Sequence, residues 1–362
     1  MSLNCGIIGL SGTGKTTLFN CLSKSKAQAG YGGGGKTNLG QIEVPDPRLD
    51  KLFDMVKSEK KVPTTVEIAD IPGLMKGSSG QKGGNKFLAD IRQTDALIHV
   101  LRCFDDDTIP HIEGSIDPVR DKEIVDLELI FKDMETVEKK LDKYKKASKA
   151  GEKDAINGVQ VLTALMEHLE NGKRAATFNM EEHDKKYIDD CFLLTMKPVL
   201  YVCNVDDNSV SNGNEYTRNV EKALEEENTT ILIIAAQAEA EISELDDPYE
   251  RREFLNDIGI EEPGVNKLVR EAYQLLNLQT FYTIGPKETR AWTIRKGMTA
   301  PQAAGVIHSD LERGFIRAEV IKYDDFIELG SEQACKNAGK YFVEGKNYVV
   351  KEGDMLYVRF NV

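Results

Sequence analysis

Short apolar runs alternate with segments of helical periodicity along much of the chain. Runs rich in Ile, Leu and Val predict buried strands at 3–10, 65–71, 96–104, 198–205 and 229–236. Apolar residues at helical spacing predict helices at 15–25, 84–94 and 214–227. Strands that are apolar on both faces and alternate with helices indicate a doubly wound α/β domain with a parallel sheet.

This alternation is interrupted after the third predicted strand and resumes at Pro198. In the interruption, narrow apolar stripes with spacings of three and four run from Leu127 to Tyr144 and from Ile156 to Leu169. Two such stripes joined by a short polar turn predict an antiparallel helical hairpin inserted into the α/β domain. The narrow stripes favour a projecting coiled coil, and two ordinary core helices are the alternative.

The C-terminal part of the chain has a different pattern. Alternating apolar and polar residues predict strands in QTFYTIG, RAWTIR, FIRAEVI and GDMLYVRF, and APQAAGVIHSDLERG predicts a helix. These elements indicate a separate, small α+β domain. The predicted division is 1–122 with 198–277 for the α/β domain, 123–197 for the insertion and 278–362 for the last domain.

Composition narrows the class of protein. The 362 residues carry a net charge of −13, which argues against a general binder of nucleic acid but allows a local basic face. The sequence has neither an apolar run of membrane-spanning length nor the pattern of a secretory leader, so we expect a cytoplasmic protein without membrane contact. The six cysteines have no zinc-type spacing and are expected to be reduced core residues.

Two stretches, residues 9–16 and 30–37, satisfy the P-loop pattern of Gly, four residues and Gly-Lys-Ser/Thr. The first follows a predicted strand and opens a predicted helix, so its backbone N–H groups and the helix N-terminus can hold phosphates. The second leads into the extended stretch NLGQIEVPDP. The first stretch is therefore the predicted phosphate cradle. Its nucleotide-binding residues are Gly12, Thr13, Gly14, Lys15, Thr16 and Thr17.

Chemical roles follow from the motif. Lys15 is predicted to reach the β- and γ-phosphates and to support catalysis, and the Thr16 hydroxyl to bind Mg²⁺. Asp70 and Gly73 form a DxxG motif after a strand, in which the carboxylate holds Mg²⁺ through water and the Gly73 N–H senses the γ-phosphate. Leu74 follows, where many GTPases have a water-positioning Gln. Another group must orient the water, or turnover is slow.

The second P-loop match lies where nucleotide switches of the Ras type have switch I. Our hypothesis is that GYGGGGKTNLG orders around a triphosphate, with Thr37 as a further Mg²⁺ ligand. The alternative is a flexible loop without nucleotide contact.

A base-reading segment is predicted after the fourth strand. Asn204, Val205 and Asp207 resemble the NKxD motif, with Val in place of the Lys. Asp207 permits guanine recognition, but the incomplete motif does not establish it.

Several long segments together resemble the Obg-like ATPase (YchF) family over the whole chain. They include CGIIGLSGTGKTTLFNCL, DIPGLMKGSSGQKGGNKFLADIRQTDALIHVLRCFDDD and TFYTIGPKETRAWTIRKGMTAPQAAGVIHSDLERGFIRAEVI. The resemblance implies a Ras-like P-loop G domain with an inserted antiparallel coiled coil and a C-terminal, β-grasp-like TGS domain. It further implies slow hydrolysis of Mg-ATP rather than GTP, and association with the ribosome, in particular its large subunit. RNA contact through the TGS domain and the coiled coil is a further expectation.

The resemblance also suggests site residues. His111 stands at the position of a loop histidine suggested to act on the attacking water, and a solvated loop histidine is the alternative. Asn204 and Val205 become the expected adenine contacts, the latter through its backbone.

The chain departs from the family pattern at three places. Gly12 replaces an Asn linked to K⁺ binding, direct alignment puts Gly34 rather than Thr37 at the switch position, and Asp207 often corresponds to Glu. A GTPase of the same architecture and a non-catalytic RNA- or protein-binding adaptor remain the alternative functions.

Overall fold

The computed structural model describes residues 3–23, 37–73, 82–149, 151–227 and 229–361, with the side chains of 82–85 excepted. The strands within these residues are β1 (Asn4–Ile8), β2 (Asn38–Glu43), β3 (Lys60–Val62), β4 (Thr65–Asp70), β5 (Ala96–Arg102), β6 (Val199–Asn204), β7 (Ile231–Ile234), β8 (Leu278–Ile284), β9 (Glu288–Arg295), β10 (Phe315–Lys322), β11 (Phe342–Glu344) and β12 (Asp354–Phe360). The helices are α1 (Lys15–Ser23), α2 (Pro47–Val56), α3 (Lys82–Arg92), α4 (Pro118–Lys149), α5 (Lys153–Glu170), α6 (Glu215–Ala223), α7 (Ala236–Glu244), α8 (Pro248–Asp257), α9 (Gly264–Leu275), α10 (Ala300–Ile307), α11 (Ser309–Arg313), α12 (Tyr323–Leu329) and α13 (Glu332–Asn337). The chain forms two compact units, 1–40 with 67–268 and 41–66 with 269–362.

The first sheet has the order β2-β4-β1-β5-β6-β7, and its central strands are parallel. Every residue of β5 is buried, as expected for a strand covered on both faces. The register pairs Ile7 with Asp70 and Arg102 with Asn204, so the carboxyl ends of these strands lie at one edge. The predicted α/β class and its parallel sheet are confirmed. Ligands of open α/β sheets bind at this edge.

The insertion contains the predicted helical hairpin, formed by α4 and α5. Helix α4 begins at Pro118, so the predicted domain boundary at residue 123 falls inside a helix. Proline is favoured in the first helical turn because its missing N–H would have no partner there. The apolar stripes are covered by residues of the segment after α5, including Tyr187, Ile188 and Leu193, in a common core. The hairpin is therefore part of a packed helical subdomain.

The second unit has a sheet of order β11-β10-β12-β8-β9-β3. Residues 41–66 were predicted to belong to the nucleotide-binding domain, and the structure corrects this. Strand β3 pairs with β9, and Leu49 and Leu52 of α2 bury against Tyr282 and its neighbours. Burial of apolar α2 residues explains the assignment, since the local periodicity does not show which sheet a helix covers. In the described residues, no helix combines the length and apolar character needed to cross a membrane.

Candidate nucleotide-binding site

The first P-loop match connects β1 to α1 in a tight turn. Gly9, Gly12 and Gly14 have φ values of +144°, +80° and +91°, which favour glycine. A Cβ at Gly9 would lie 2.4 Å from the Val100 carbonyl oxygen, and one at Gly14 would lie 2.3 Å from Asn204 Nδ2. Helix α1 then begins at Lys15, with Thr16 and Thr17 in its first turn. This strand–turn–helix arrangement is the setting that phosphate binding requires.

The second P-loop match lies almost entirely outside the described residues, which omit 24–36 and thus Gly34 and Lys36. Its proposed ordering around a triphosphate stays a hypothesis. Thr37, its last residue, is described. The Thr37 hydroxyl donates to Asp90 Oδ2 at 2.6 Å, so this conformation directs Thr37 to α3 rather than to Asp70.

Lys15 is buried at the start of α1, and its ammonium group donates to the Leu10 carbonyl at 2.5 Å. Burial lowers the pKa of Lys15 to about 8, with a smaller opposing effect from the Asp70 charge. A buried ammonium held by one P-loop carbonyl is well placed to exchange that partner for a phosphate oxygen. The predicted role of Lys15 is compatible with this position.

Thr16 and Asp70 meet where α1 faces the end of β4. The Thr16 hydroxyl donates to Asp70 Oδ2 at 3.0 Å, and Asn38 Nδ2 lies 3.4 Å from the same oxygen. The other carboxylate oxygen, Asp70 Oδ1, is buried and has no hydrogen-bond partner among the residues that the structure describes. A buried carboxylate oxygen without a partner is costly unless a ligand or water uses it. The pair therefore offers a hydroxyl and a carboxylate to a hard cation.

Gly73 lies against the cradle. A Cβ at this position would be 2.6 Å from Lys15 Nζ and 3.0 Å from the Ser11 backbone nitrogen. The DxxG glycine and the P-loop lysine, 58 positions apart by their residue numbers, are thus neighbours. Leu74, the expected apolar residue after this glycine, is outside the described residues.

The base-side residues follow β6. Asn204 is buried, and its Nδ2 donates to the Thr13 carbonyl at 2.9 Å while its Oδ1 accepts from the Ala236 N–H at 2.9 Å. Its amide thus connects the P-loop to the start of α7. Val205 is a buried core residue whose N–H donates to the Ile234 carbonyl at 2.9 Å.

Asp207 is half-buried in a short 3₁₀ turn after β6. Burial, together with the nearby charges of Glu241 and Asp206, raises the pKa of its carboxyl group.

A loop after β5 borders the cradle, and Arg102 organises it. The buried Arg102 guanidinium donates to the carbonyls of Phe104, Asp106 and Ile109 at 3.2, 2.9 and 2.8 Å. A Cβ at Gly12 would lie 3.4 Å from Ile109 Cγ2, which shows how near the loop comes. Arg102 was not predicted to be a site residue. The feature of the sequence that could have indicated it is a basic residue at the end of an otherwise apolar strand.

His111 lies farther along this loop, and its side chain is 5% exposed. The Glu113 N–H donates to His111 Nδ1 at 3.1 Å, so Nε2 carries the proton and donates to Asp121 Oδ2 at 2.8 Å. Arg120 Nη2 is 2.9 Å from the second oxygen of Asp121. The expectation of a solvated loop histidine is wrong for this conformation, because both ring nitrogens have protein partners and the ring is buried.

The fold and the convergence of P-loop, Thr-Asp pair and DxxG glycine define a P-loop nucleoside triphosphatase of the GTPase class. Two family models match the chain. MMR_HSR1, described as "50S ribosome-binding GTPase", matches residues 4–204, and YchF-GTPase_C, described as "Protein of unknown function (DUF933)", matches residues 278–361.

Full-length relatives identify the family within this class. The chain is 46% identical to a protein of Haemophilus ducreyi and 45% identical to one of Bacillus subtilis, each named "Ribosome-binding ATPase YchF", over 100% of both chains. A solved structure, "Structure of the Schizosaccharomyces pombe YchF GTPase", is 32% identical with a TM-score of 0.87 and covers 99% of this chain and 98% of that one. The chain belongs to the YchF family.

Proposed function

We propose that this protein hydrolyses ATP at the P-loop and associates with the ribosome in a nucleotide-dependent way. The observation that carries the proposal is the convergence of Lys15, Thr16, Asp70 and Gly73 at the carboxyl edge of the parallel sheet. The names of relatives that match over the full length supply the nucleotide and the partner. A ribosomal partner would be met in the cytoplasm, which is the proposed location of this activity.

The P-loop would hold the phosphates through its backbone N–H groups and the N-terminus of α1. Lys15 would leave the Leu10 carbonyl for an oxygen of the γ-phosphate, where the anionic ligand would raise the pKa of Lys15 again. The N–H of Gly73 would donate to the same phosphate, since the residue lies against the Lys15 ammonium group. These contacts stabilise the charge that develops on the transferred group.

Mg²⁺ is the metal that this site fits. Thr16 and Asp70 would hold it, because Asp70 has a buried carboxylate oxygen without a described partner beside the Thr16 hydroxyl. Mg²⁺ prefers one or two protein oxygens together with substrate phosphates and water. When bound, it supplies charge neutralisation at the β- and γ-phosphates.

The switch proposal concerns Thr37. In the structure its hydroxyl is bonded to Asp90, while the adjacent Asn38 side chain approaches Asp70. In the triphosphate state, Thr37 would exchange Asp90 for the metal site beside Asp70. The segment between α1 and β2 would then report the presence of the γ-phosphate to a partner.

The catalytic proposal concerns His111. Its loop borders the P-loop, since Ile109 lies at Gly12, and a movement of this loop would bring the ring toward the γ-phosphate. His111 must first release Asp121, because its Nε2 proton is donated there in this structure. The neutral ring would then orient the attacking water.

The preference for ATP over GTP is supported by the base side. The base side lacks the Lys of the guanine-reading NKxD motif, because Val205 stands in its place. The backbone of Val205 remains the proposed contact of adenine, whereas Asn204, the other residue expected there, is proposed to act on nucleotide binding through the P-loop. In this structure the Asn204 amide mainly braces the P-loop.

The test combines turnover with co-sedimentation. Phosphate release from ATP and GTP is measured for wild type and Lys15→Ala, with and without ribosomes. We expect slow release from ATP that Lys15→Ala abolishes, and pelleting with the large subunit that depends on a non-hydrolysable ATP analogue. Absence of release would favour a nucleotide-dependent adaptor, preference for GTP would favour the GTPase alternative, and absence of pelleting would refute the ribosomal partner.

A further inference from the structure

A large groove lies in the first unit, away from the P-loop. It is formed by the end of α3, the middle of α4 and the segment 188–198, and it encloses about 1100 Å³. Nothing in the proposed nucleotide chemistry uses this groove.

Phe192 is the most unusual residue of the groove. Its side chain is 81% exposed, and its backbone has φ 47° and ψ 50°, the left-handed conformation. This conformation is unfavourable for a residue with a bulky side chain. Ile188 and Leu193 on either side are buried in the helical core. The chain thus presents an aromatic ring to solvent in a backbone conformation that glycine would adopt more easily.

The segment that carries Phe192 is fixed to α4. The Asp133 carboxylate, buried on α4, accepts from the N–H groups of Leu194 and Thr195 at 2.7 and 2.8 Å and from the Thr195 hydroxyl at 2.6 Å. Three hydrogen bonds to one buried carboxylate hold the backbone firmly. The exposed ring is therefore pre-positioned, which lowers the entropic cost of binding a ligand.

The groove is cationic although the whole chain carries a net charge of −13. Arg92, Lys139 and Lys143 line it, are exposed, and form no ion pair within the described part of the chain. Two further cations are engaged: Lys140 pairs with Asp190, and Lys197 donates to the Thr94 carbonyl.

The acidic groups of the groove partly offset these cations. Asp190 is neutralised by Lys140, and Asp95 Oδ2 accepts from the Asn4 N–H at 2.9 Å. Asp189 is exposed beside Phe192. Among the lining residues, four cations (Arg92, Lys139, Lys143 and Lys197) and two carboxylates (Asp95 and Asp189) have no ion-pair partner in the described part of the chain. This excess of positive charge leaves the groove complementary to a polyanion.

We propose that this groove binds an unpaired strand of RNA, with one base stacked on Phe192 and phosphates at Arg92, Lys139 and Lys143. Aromatic rings and cations along a groove are the usual combination for single strands, because every base has a π-face and every nucleotide a charge. An acidic peptide would use the cations but has no need of an exposed, pre-positioned ring. The inference rests on the proposed ribosome association and names the ribosomal component that is contacted.

The test measures fluorescence anisotropy of a labelled single-stranded RNA of about twelve nucleotides, a length typical of single-strand sites. Phe192→Ala should weaken binding roughly 5- to 150-fold, the range seen for the loss of one stacked base. Tyr249→Ala removes another exposed aromatic ring, on α8, and should leave binding unchanged. Equal binding by wild type and Phe192→Ala would overturn the stacking role.

The salt dependence of RNA binding distinguishes the contribution of the Phe192 ring from that of the cations. Lys139→Gln with Lys143→Gln should reduce the slope of log affinity against log salt by about 1.4, because each phosphate contact to a single strand contributes about 0.7. Phe192→Ala should leave this slope unchanged. Lys145→Gln with Lys146→Gln removes two exposed charges of α4 that do not line the groove and is the matched control. An equal slope change in both double variants would refute a specific groove.

Phe192→Gly tests whether weaker RNA binding is caused by loss of folding rather than by loss of the ring. Glycine relieves the left-handed strain, so the melting temperature should not fall, while RNA binding should weaken as much as in Phe192→Ala. A fall in stability with retained RNA binding would contradict the proposal.

Pelleting with purified ribosomes distinguishes this inference from the proposed function. If wild type pellets and Phe192→Gly does not, both the ribosomal partner and the RNA groove are supported. If both proteins pellet equally, the ribosomal partner is supported and the RNA groove is refuted. If wild type does not pellet at all, the proposed function fails, and the RNA oligonucleotide assay then decides on the groove alone. Displacement of the RNA by a poly-Glu peptide at equal charge concentration would indicate a protein ligand instead.

Discussion

The phosphate side and the base side of the nucleotide site differ in what they leave for a ligand. On the phosphate side, Asp70 Oδ1 has no partner among the described residues and Lys15 holds a single P-loop carbonyl. On the base side, both ends of the Asn204 amide are bonded to the protein, at Thr13 and Ala236. The phosphate side is arranged to bind, whereas the base side is arranged to hold the cradle in shape.

Because of this difference, the proposed phosphate binding follows from one local motif, whereas the base preference depends on contacts between distant segments. The proposed phosphate contacts come from one contiguous loop and the strand beside it. The base-side contacts join three segments, near residues 13, 204 and 236, that are far apart in the sequence. Mutations on the two sides should therefore have different consequences for ATP and GTP.

The largest effect is expected for Lys15→Ala. Loss of the ammonium group should weaken Mg-ATP binding and hydrolysis by roughly 100- to 1000-fold, the effect of losing one preorganised donor to developing charge. Titration of a fluorescent ATP analogue measures the affinity. Lys36→Ala, in the second P-loop match, is the control and should bind normally. If Lys36→Ala abolishes binding instead, the cradle has been assigned to the wrong loop.

His111→Ala should lower the single-turnover rate of ATP hydrolysis by about 100-fold with little change in affinity, as expected for a group that acts on the water. Rapid-quench measurements with saturating enzyme test this. Asp121→Asn is the companion variant, because it weakens the partner that holds the ring but leaves the imidazole. A His111→Ala rate equal to that of wild type would assign His111 to the stability of its loop.

Asn204→Ala should weaken ATP and GTP binding by a similar factor, roughly tenfold, because the brace of the P-loop is lost for both. The variant should also lose about 2–3 kcal/mol of unfolding free energy, since a buried carbonyl and a buried N–H lose their partners. Competition binding and denaturant unfolding check the two effects. A change confined to one nucleotide would show that Asn204 reads the base.

The smallest effect concerns pH. Triphosphate binding favours protonated Lys15, whose pKa is lowered to about 8 in the free protein. Affinity should be full well below pH 8 and fall as the pH rises through 8, by about fourfold between pH 7 and 8.5. Binding titrations at constant Mg²⁺ and ionic strength measure the profile. A flat profile over this range would mean that the Lys15 ammonium does not bind the phosphates.

Local features of the fold could be predicted from the sequence. The buried strands, the strand–turn–helix of the P-loop and the helical hairpin follow from periodicity and glycine spacing, which act within a few residues. The place of residues 41–66 in the second unit could not be predicted, because the burial of Leu49 and Leu52 depends on Tyr282 and other distant residues. Packing of this kind leaves no local pattern.

The same limit applies to the candidate sites. Lys15, Thr16, Asp70 and Gly73 could be grouped from their motifs, and the structure brings them together. The hydrogen bonds from Thr37 to Asp90 and from His111 to Asp121 could not be predicted from the motifs, because the partner of a side chain depends on its conformational state.

The groove around Phe192 was also missed. Its exposed ring depends on the left-handed backbone and on the buried Asp133 of another helix. An isolated Phe in the sequence is more often a core residue.

The most direct test of the central claim is competition between ATP and GTP for the wild-type protein, with Mg²⁺ and a labelled ATP analogue at equilibrium. We predict that ATP displaces the analogue at lower concentration than GTP and that Lys15→Ala binds neither nucleotide measurably. Tighter binding of GTP would contradict this prediction, because Asp207 would then read guanine without the Lys of the NKxD motif.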